Sequence, residues 1–373
     1  MQSRTTAQDV RLRQGRWLRI PGPTVVHPDA VRAQTRDMIP HRGPLATAFY
    51  GGLLEKVRAV HRTEGTVLIW PGSGSAGWEA AITNLLSPGD TVVATVCGAF
   101  GDRFASIGRK FGLDVRRVEV PWGKAIPVDQ FADALAEASN ARAVFITHNE
   151  TSTGVTNPLP ELAAAARRAG ALVIVDAVSS AAAIPLEVDA WDLDFVLSGS
   201  QKAWMCPPGL MLAAVSARAF AAAQRSAYAR FFWDIEAMRI AADQGSTATT
   251  GPLSLLFALD AAVEAMLAEG IEAIWCRHDR LGSLVRQRLV ELNLDLLANG
   301  AVASSSITAF RPPSTMTSSE LRDRLSDLSG IEIAVGQGTQ TECINRIGHM
   351  GWVGAPELEA TLEALETVIR MTP

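Results

Sequence analysis

The sequence predicts an α/β protein built on a mostly parallel sheet, followed by a smaller α+β unit. Two observations carry this. Short apolar runs at 67–70, 91–96, 115–120, 143–147, 172–175 and 195–197 recur, with helix-patterned segments between most of them. Strands buried on both faces read as continuous apolar runs, and a parallel sheet needs such crossovers. Glycine-rich or polar residues also stand where several of these runs stop, at the strand ends where open α/β sheets bind ligands.

The chain has 373 residues, 48% hydrophobic and 20% charged, which is ample for a large core and long for one domain. The expected division is a loose, polar segment 1–18, a large domain 19–274 and a small domain 275–373. The net charge of -5 comes without a basic block, which argues against nucleic acid or an anionic membrane as partner. No apolar stretch reaches spanning length, and the N-terminus lacks an apolar signal core. Cys97, Cys206, Cys276 and Cys343 are scattered without metal-ligand spacing. They read as reduced thiols of a cytoplasmic protein, with no metal site.

Taken in order, Ile-Pro-Gly-Pro-Thr at 20–24 is a rigid turn, and a helix is expected over 45–62. Strand 67–70 leads through Pro-Gly-Ser-Gly-Ser-Ala-Gly at 71–77 into a helix over 78–86. Strand, Gly/Ser loop and helix together aim backbone N–H groups and a helix dipole at a phosphate. No lysine follows as a nucleotide-binding P-loop would require. Strand 91–96 is followed by Gly-Ala-Phe-Gly at 98–101, and strand 115–120 by a helix over 129–138. Strand 143–147 ends in His-Asn-Glu-Thr-Ser-Thr-Gly at 148–154, and a helix spans 159–168.

The next stretch holds the chemistry. Strand 172–175 stops at Asp176, and strand 195–197 is followed by Ser-Gly-Ser-Gln and Lys202. An acid at one strand end and a lysine beyond another face the same crevice. A lysine amine that condenses with an aldehyde and a carboxylate that holds a pyridine nitrogen protonated are what pyridoxal 5'-phosphate requires. Alone, the two residues would read as a cap and a surface lysine. Beyond them come a strand at 209–215, a helix over 217–229, an irregular stretch to Pro252, and helices over 254–269 and 271–288. The small domain alternates strands (305–311, 331–335) with helices (318–328, 355–370).

Asp-Ala-Val-Ser-Ser at 176–180, Ser-Gly-Ser-Gln-Lys at 198–202, Pro-Pro-Gly at 207–209 and Arg-Ile-Gly at 346–348 resemble the class V aminotransferases. The likeness is to the alanine–glyoxylate and serine–glyoxylate (serine–pyruvate) branch, and it covers about residues 18–370. It implies fold type I of the pyridoxal-phosphate enzymes and transfer of an amino group from a small amino acid (serine, alanine or glycine type) to glyoxylate or pyruvate. It implies Lys202 and Asp176 as catalytic residues, and Ser73, Gly74 and Ser75 around the cofactor phosphate. Phe100 is implied to stack on the ring, with further cofactor contacts from Thr151, Val178 and Gln201. Gly22 and Arg346 would serve the substrate, Arg346 as a planar fork for its carboxylate. His148 reads as an orienting or structural residue.

The resemblance also implies a homodimer with composite sites, in which Thr250 reaches the partner's cofactor. Thr247 stands where the family usually carries tyrosine, which leaves its role open. His41 and Arg42 are either a solvated loop or a reach into the neighbouring site. The alternatives are a lyase or desulfurase-like enzyme on the same scaffold, and a dicarboxylic donor such as aspartate. Arguing against the latter, the loops 72–77, 98–101 and 148–154 contain no Lys or Arg, and position 337 is Gln.

Overall fold

A computed structural model describes residues 17–298 and 300–371. Seven strands form the central sheet: β1 (Thr66–Gly72), β2 (Thr91–Val96), β3 (Asp114–Glu119), β4 (Ala143–Thr147), β5 (Leu172–Asp176), β6 (Phe195–Gly199) and β7 (Gly209–Val215). Their order across the sheet is β1-β7-β6-β5-β4-β2-β3. Strands β2 to β6 pair in parallel, and β7 lies antiparallel between β6 and β1.

The apolar runs are continuous because each strand feeds two cores. Val93, Val144, Ile146, Val173 and Val175 face one, while Val92, Ala94, Phe145 and Ile174 face the other. This is the two-residue period of a pleated strand, buried on both sides. Helices Pro44–His61, Val128–Glu137, Leu159–Arg168 and Leu253–Glu269 cover the first face. Helices Gly74–Leu85 and Ala99–Lys110 cover the second.

The small domain holds a three-stranded antiparallel sheet, with Asn345–Gly348 between Ile307–Phe310 and Ala334–Val335. Helices Ser318–Ser329 and Ala355–Arg370 pack around a third core. The expected boundary at 274/275 falls inside one continuous helix, Ile271–Glu291. Its first turns place Ile271 and Ile274 in the large core, and its later turns place Leu281, Val285 and Leu289 in the small one.

Several expectations are corrected. Of the segment 1–18, residues 1–16 lie outside the described residues, but Trp17–Leu18 is not loose. It pairs in parallel with Ile331–Glu332. The helix expected over 217–229 ends at Ala223. Just beyond, the Ser226 hydroxyl donates to the carbonyls of Thr83 and Leu86 and draws the chain aside. The stretch expected to be irregular contains helix Ile235–Asp243, capped by the Asp234 carboxylate. Helix Gly74–Leu85 starts four residues earlier than expected, so the Gly/Ser loop supplies its first turn.

Candidate active site

A cavity with about 170 Å³ of water-accessible space opens at the carboxyl ends of the parallel strands. At one end stand Ser73, Gly74 and Ser75, where β1 passes into helix Gly74–Leu85. Ser73 caps the helix through its carbonyl, which accepts from Ala76 and Gly77 at 2.9 and 3.4 Å. The N–H groups of Gly74 and Ser75 precede this ladder, and the first turn carries no acidic side chain. Such an end suits a dianionic phosphate. Gly74 is held to glycine by its neighbour, because a Cβ there would come within 2.4 Å of the Val178 Cγ2.

Asp176 ends β5 and is 4% exposed. Its Oδ1 accepts from the Val178 N–H at 2.9 Å. Burial pushes its pKa up to about 7, and the charge of Glu150 adds to the rise. The Val178 and Trp78 N–H groups and the Lys202 charge oppose it without offsetting it. A buried carboxylate on a cavity wall with so little compensation fits a cation placed in that cavity, and a protonated ring nitrogen is one.

Lys202 follows the end of β6, and its Nζ donates to the Pro21 carbonyl at 2.9 Å. Burial, aided by the nearby Arg346 charge, lowers its pKa to about 8 against the pull of Asp176. That brings a free amine within reach near neutral pH. Gly22 lies against this side chain: a Cβ there would sit 2.5 Å from the Lys202 Nζ. Of the other expected cofactor contacts, Phe100, Thr151, Val178 and Gln201 also line the wall.

Phe100 is positioned by a carboxylate that the sequence alone gave no task. Glu150 is fully buried and accepts from the N–H groups of Phe100 (3.1 Å), Gly101 (2.9 Å) and Ser152 (3.1 Å), and from the Ser152 hydroxyl (2.6 Å). It therefore occupies the N-terminus of helix Ala99–Lys110, the helix that follows β2.

Arg346, on the middle strand of the small sheet, lies outside the cavity wall but within electrostatic reach of Lys202. Its Nε and Nη2 donate to the Val335 carbonyl at 2.9 and 2.8 Å, and its Nη1 donates to the Thr151 carbonyl at 3.1 Å. Five donors less these three leave one N–H on each terminal nitrogen, an end-on pair matched to a carboxylate. Burial lowers its pKa to about 10, a value at which it still stays charged at neutral pH.

The remaining expected residues are elsewhere. Thr250 is exposed and away from the wall, and the Thr247 hydroxyl is turned onto the Thr249 carbonyl at 2.5 Å. His41 and Arg42 are exposed and touch each other at 3.4 Å. His148 is buried outside the wall, with its pKa pushed down to about 3 by burial, so it is neutral and orients rather than titrates.

Four wall residues escaped the sequence reading: Trp78, Arg103, Asn149 and Ser179. Asn149 and Ser179 sat inside motifs already singled out, and they bond each other at 2.8 Å. Arg103 stands two residues past the loop counted as free of cations, one helical turn after Phe100, with its guanidinium 5.3 Å from that ring. Trp78 read simply as an apolar helix residue.

Residues 29–354 match the profile of the family described as Aminotransferase class-V. The chain is 38% identical to a protein of Synechococcus sp. (strain PCC 6716) named "Soluble hydrogenase, small subunit", over 94% of this chain and 92% of that one. It is 36% identical to the L-aspartate–glyoxylate aminotransferase of Paracoccus denitrificans, covering 89% and 85%. The crystal structure of an alanine–glyoxylate aminotransferase from Nostoc sp. superposes with a TM-score of 0.90 at 29% identity, covering 95% of each chain. Sequence profile, fold and the chemistry of the cavity wall agree: the chain belongs to the class V aminotransferases, pyridoxal-phosphate-dependent transaminases of fold type I.

Proposed function

We propose that the protein moves an amino group from a small, uncharged amino acid (serine, alanine or glycine) to glyoxylate or pyruvate. The observation that carries this is Arg346, whose two spare N–H groups lie in the electrostatic neighbourhood of Lys202. One carboxylate is thereby held beside the amine that handles the α-proton.

The cofactor, when bound, supplies an aldehyde for amino exchange and a ring that accepts electrons from the substrate. The chain supplies the rest. Ser73, Gly74, Ser75 and the Gln201 amide hold the phosphate. Phe100 and Val178 provide apolar contact for the ring, and Thr151 a hydroxyl at its edge. Asp176 carries the negative charge facing the ring nitrogen. Lys202 anchors the aldehyde and then, as a free amine, takes the proton from the substrate Cα and returns it. Arg346 fixes which Cα bond faces that amine.

A second reading, an aspartate-type donor, is favoured by one observation: Arg103 places a cation on the cavity wall. A distal carboxylate buried without a cation costs several kcal/mol, and Arg103 is positioned to prevent that. Relative kcat/KM for serine, alanine, glycine and aspartate with glyoxylate as acceptor separates the two. A small uncharged donor should lead. A preference for aspartate that is lost in Arg103→Ala or Arg42→Ala would overturn the first reading.

We further infer a homodimer, with Thr250 and the 38–45 segment serving the partner's site. Exposed apolar side chains on the 38–45 segment support it: Met38 and Leu45 are 64% and 65% exposed. The four thiols are free, which supports a reducing, cytoplasmic setting. Among the described residues no helix is long and apolar enough to cross a membrane.

A further inference from the structure

The cavity wall contains two buried polar side-chain atoms without a hydrogen-bond partner among the described residues, the Gln201 Oε1 and the Trp78 indole nitrogen. Gln201 already has a place among the cofactor contacts proposed above. Trp78 has no task in the function described so far. It is 2% exposed, and a buried N–H without an acceptor destabilises the fold. Phenylalanine would fill much the same space without that cost.

The ring cannot readily turn to find another partner. It stacks on Phe104 with centroids 5.4 Å apart at 14°, and Phe104 stacks on Phe145 of β4 at 4.2 Å and 1°. This pile restrains the indole, which lines the same cavity as Asp176 at the end of β5. The Asp176 Oδ1 is already engaged by Val178. The charged groups that face this carboxylate are Glu150, from the hairpin after β4, and Lys202, from the turn after β6. The Trp78 indole shares the cavity wall with this carboxylate and favours its charged form.

We propose that Trp78 is a positioning residue for Asp176: its indole N–H donates to the carboxylate and orients it toward the ring nitrogen of the cofactor. The role of the ring nitrogen rests on the cofactor reading above, whereas the proposed Trp78–Asp176 hydrogen bond concerns the empty protein alone. In this arrangement the helix Gly74–Leu85 does two things. Its first turn receives the phosphate, and one turn later it steadies the acid for the other end of the same molecule.

The test begins with cofactor-free protein carrying ¹⁵N-labelled indoles. The Trp78 N–H resonance, identified among the nine tryptophans by its loss in Trp78→Phe, should shift between about pH 5.5 and 8.5, following the carboxyl of Asp176; the Trp352 indole, edge-on to His27, is assigned and read separately. The Trp78 resonance should stop titrating in Asp176→Asn. His61 and His148, against Trp204 and Trp191, have pKa values held down to about 4 and about 3 by burial, so those indoles stay silent in this window.

In Trp78→Phe the Asp176 titration, read by ¹³C carboxyl resonances, should rise by about one pH unit, the scale of one lost charge-assisted hydrogen bond. In the loaded enzyme kcat should fall about tenfold with KM for the amino donor unchanged. A set of indole resonances indifferent to Asp176→Asn overturns the proposal, as does a Trp78→Phe protein with unaltered carboxyl titration. Should Trp78→Phe fail to fold, the Asp176→Asn arm decides alone, because it keeps the native tryptophan. Failure to take up pyridoxal phosphate would instead strike the cofactor reading and leave the indole result standing.

Discussion

Helix Gly74–Leu85 and helix Ala99–Lys110 both begin at a glycine-containing turn after a strand of the central sheet, and they meet opposite fates. The first keeps the N–H groups of Gly74 and Ser75 free of any protein acid. The second has its N–H groups taken by the buried carboxylate of Glu150, which arrives from the hairpin Asn149–Glu150 and Val155–Thr156. A helix N-terminus attracts an anion whatever its source. One of these ends is satisfied internally and used to place Phe100. The other is kept for a ligand. The same local grammar therefore yields a structural joint in one place and a binding site in the next.

The largest effect should come from removing the covalent anchor while leaving the open helix end intact. Lys202→Ala should retain the cofactor without a covalent link, so that borohydride no longer fixes it to the chain. Turnover should drop by roughly four orders of magnitude. If the variant loses cofactor binding altogether, the open end is not a binding site in its own right.

Next, Glu150→Gln replaces an acceptor for four donors by an amide that presents N–H groups to N–H groups. We expect a loss of about 2–4 kcal/mol in stability, measured by urea unfolding, together with weakened stacking at Phe100. In Glu150→Ala, the vacated helix end should take up sulfate or phosphate, raising Tm with added anion where the wild type with cofactor bound does not respond. A Glu150→Gln protein as stable as wild type would show that the second helix end needs no anion.

The two buried carboxylates differ in the same way as the two helix ends. Glu150 is surrounded by donors, whereas Asp176 has few and awaits a cation. With its pKa raised to about 7, Asp176 binds its proton more tightly folded than unfolded. Stability of the cofactor-free protein therefore falls as pH rises from about 4 to about 7, and the full penalty is present above that. Asp176→Asn should make the empty protein more stable than wild type by roughly 2–4 kcal/mol at pH 8, and the gain should vanish near pH 4. A gain independent of pH would assign it to packing instead.

The smallest pair sharpens the contrast directly. A Cβ at Gly74 meets the Val178 Cγ2 at 2.4 Å, and one at Gly98 meets the Ser152 Oγ and Glu150 Cγ at 2.4 and 2.5 Å. Each alanine should cost about 1–3 kcal/mol. For Gly74→Ala the cost should appear mainly as weaker cofactor binding, and for Gly98→Ala mainly as a lower Tm of the cofactor-free protein. Identical profiles for the two variants would erase the distinction between the ends.

What the sequence alone determined is local. Apolar runs bounded by polar residues located the strands of the sheet, because burial on both faces leaves a continuous hydrophobic signature. They also placed Asp176 and Lys202 at ends of neighbouring strands, because a parallel sheet brings such ends to one edge. Helix Ile235–Asp243 stood in a stretch expected to be irregular; its capping Asp234 is the one local signal of it, in a weakly patterned surrounding. Where side chains from distant segments meet was not legible. Glu150 at a helix end fifty residues upstream, Arg103 turning into the cavity, Trp78 locked by Phe104, and Trp17–Leu18 pairing with Ile331–Glu332 all depend on packing across the fold. Propensity and periodicity report what a segment does with its own backbone. Which buried donor finds an acceptor, and which is left for a ligand, is decided only when the whole chain closes around it.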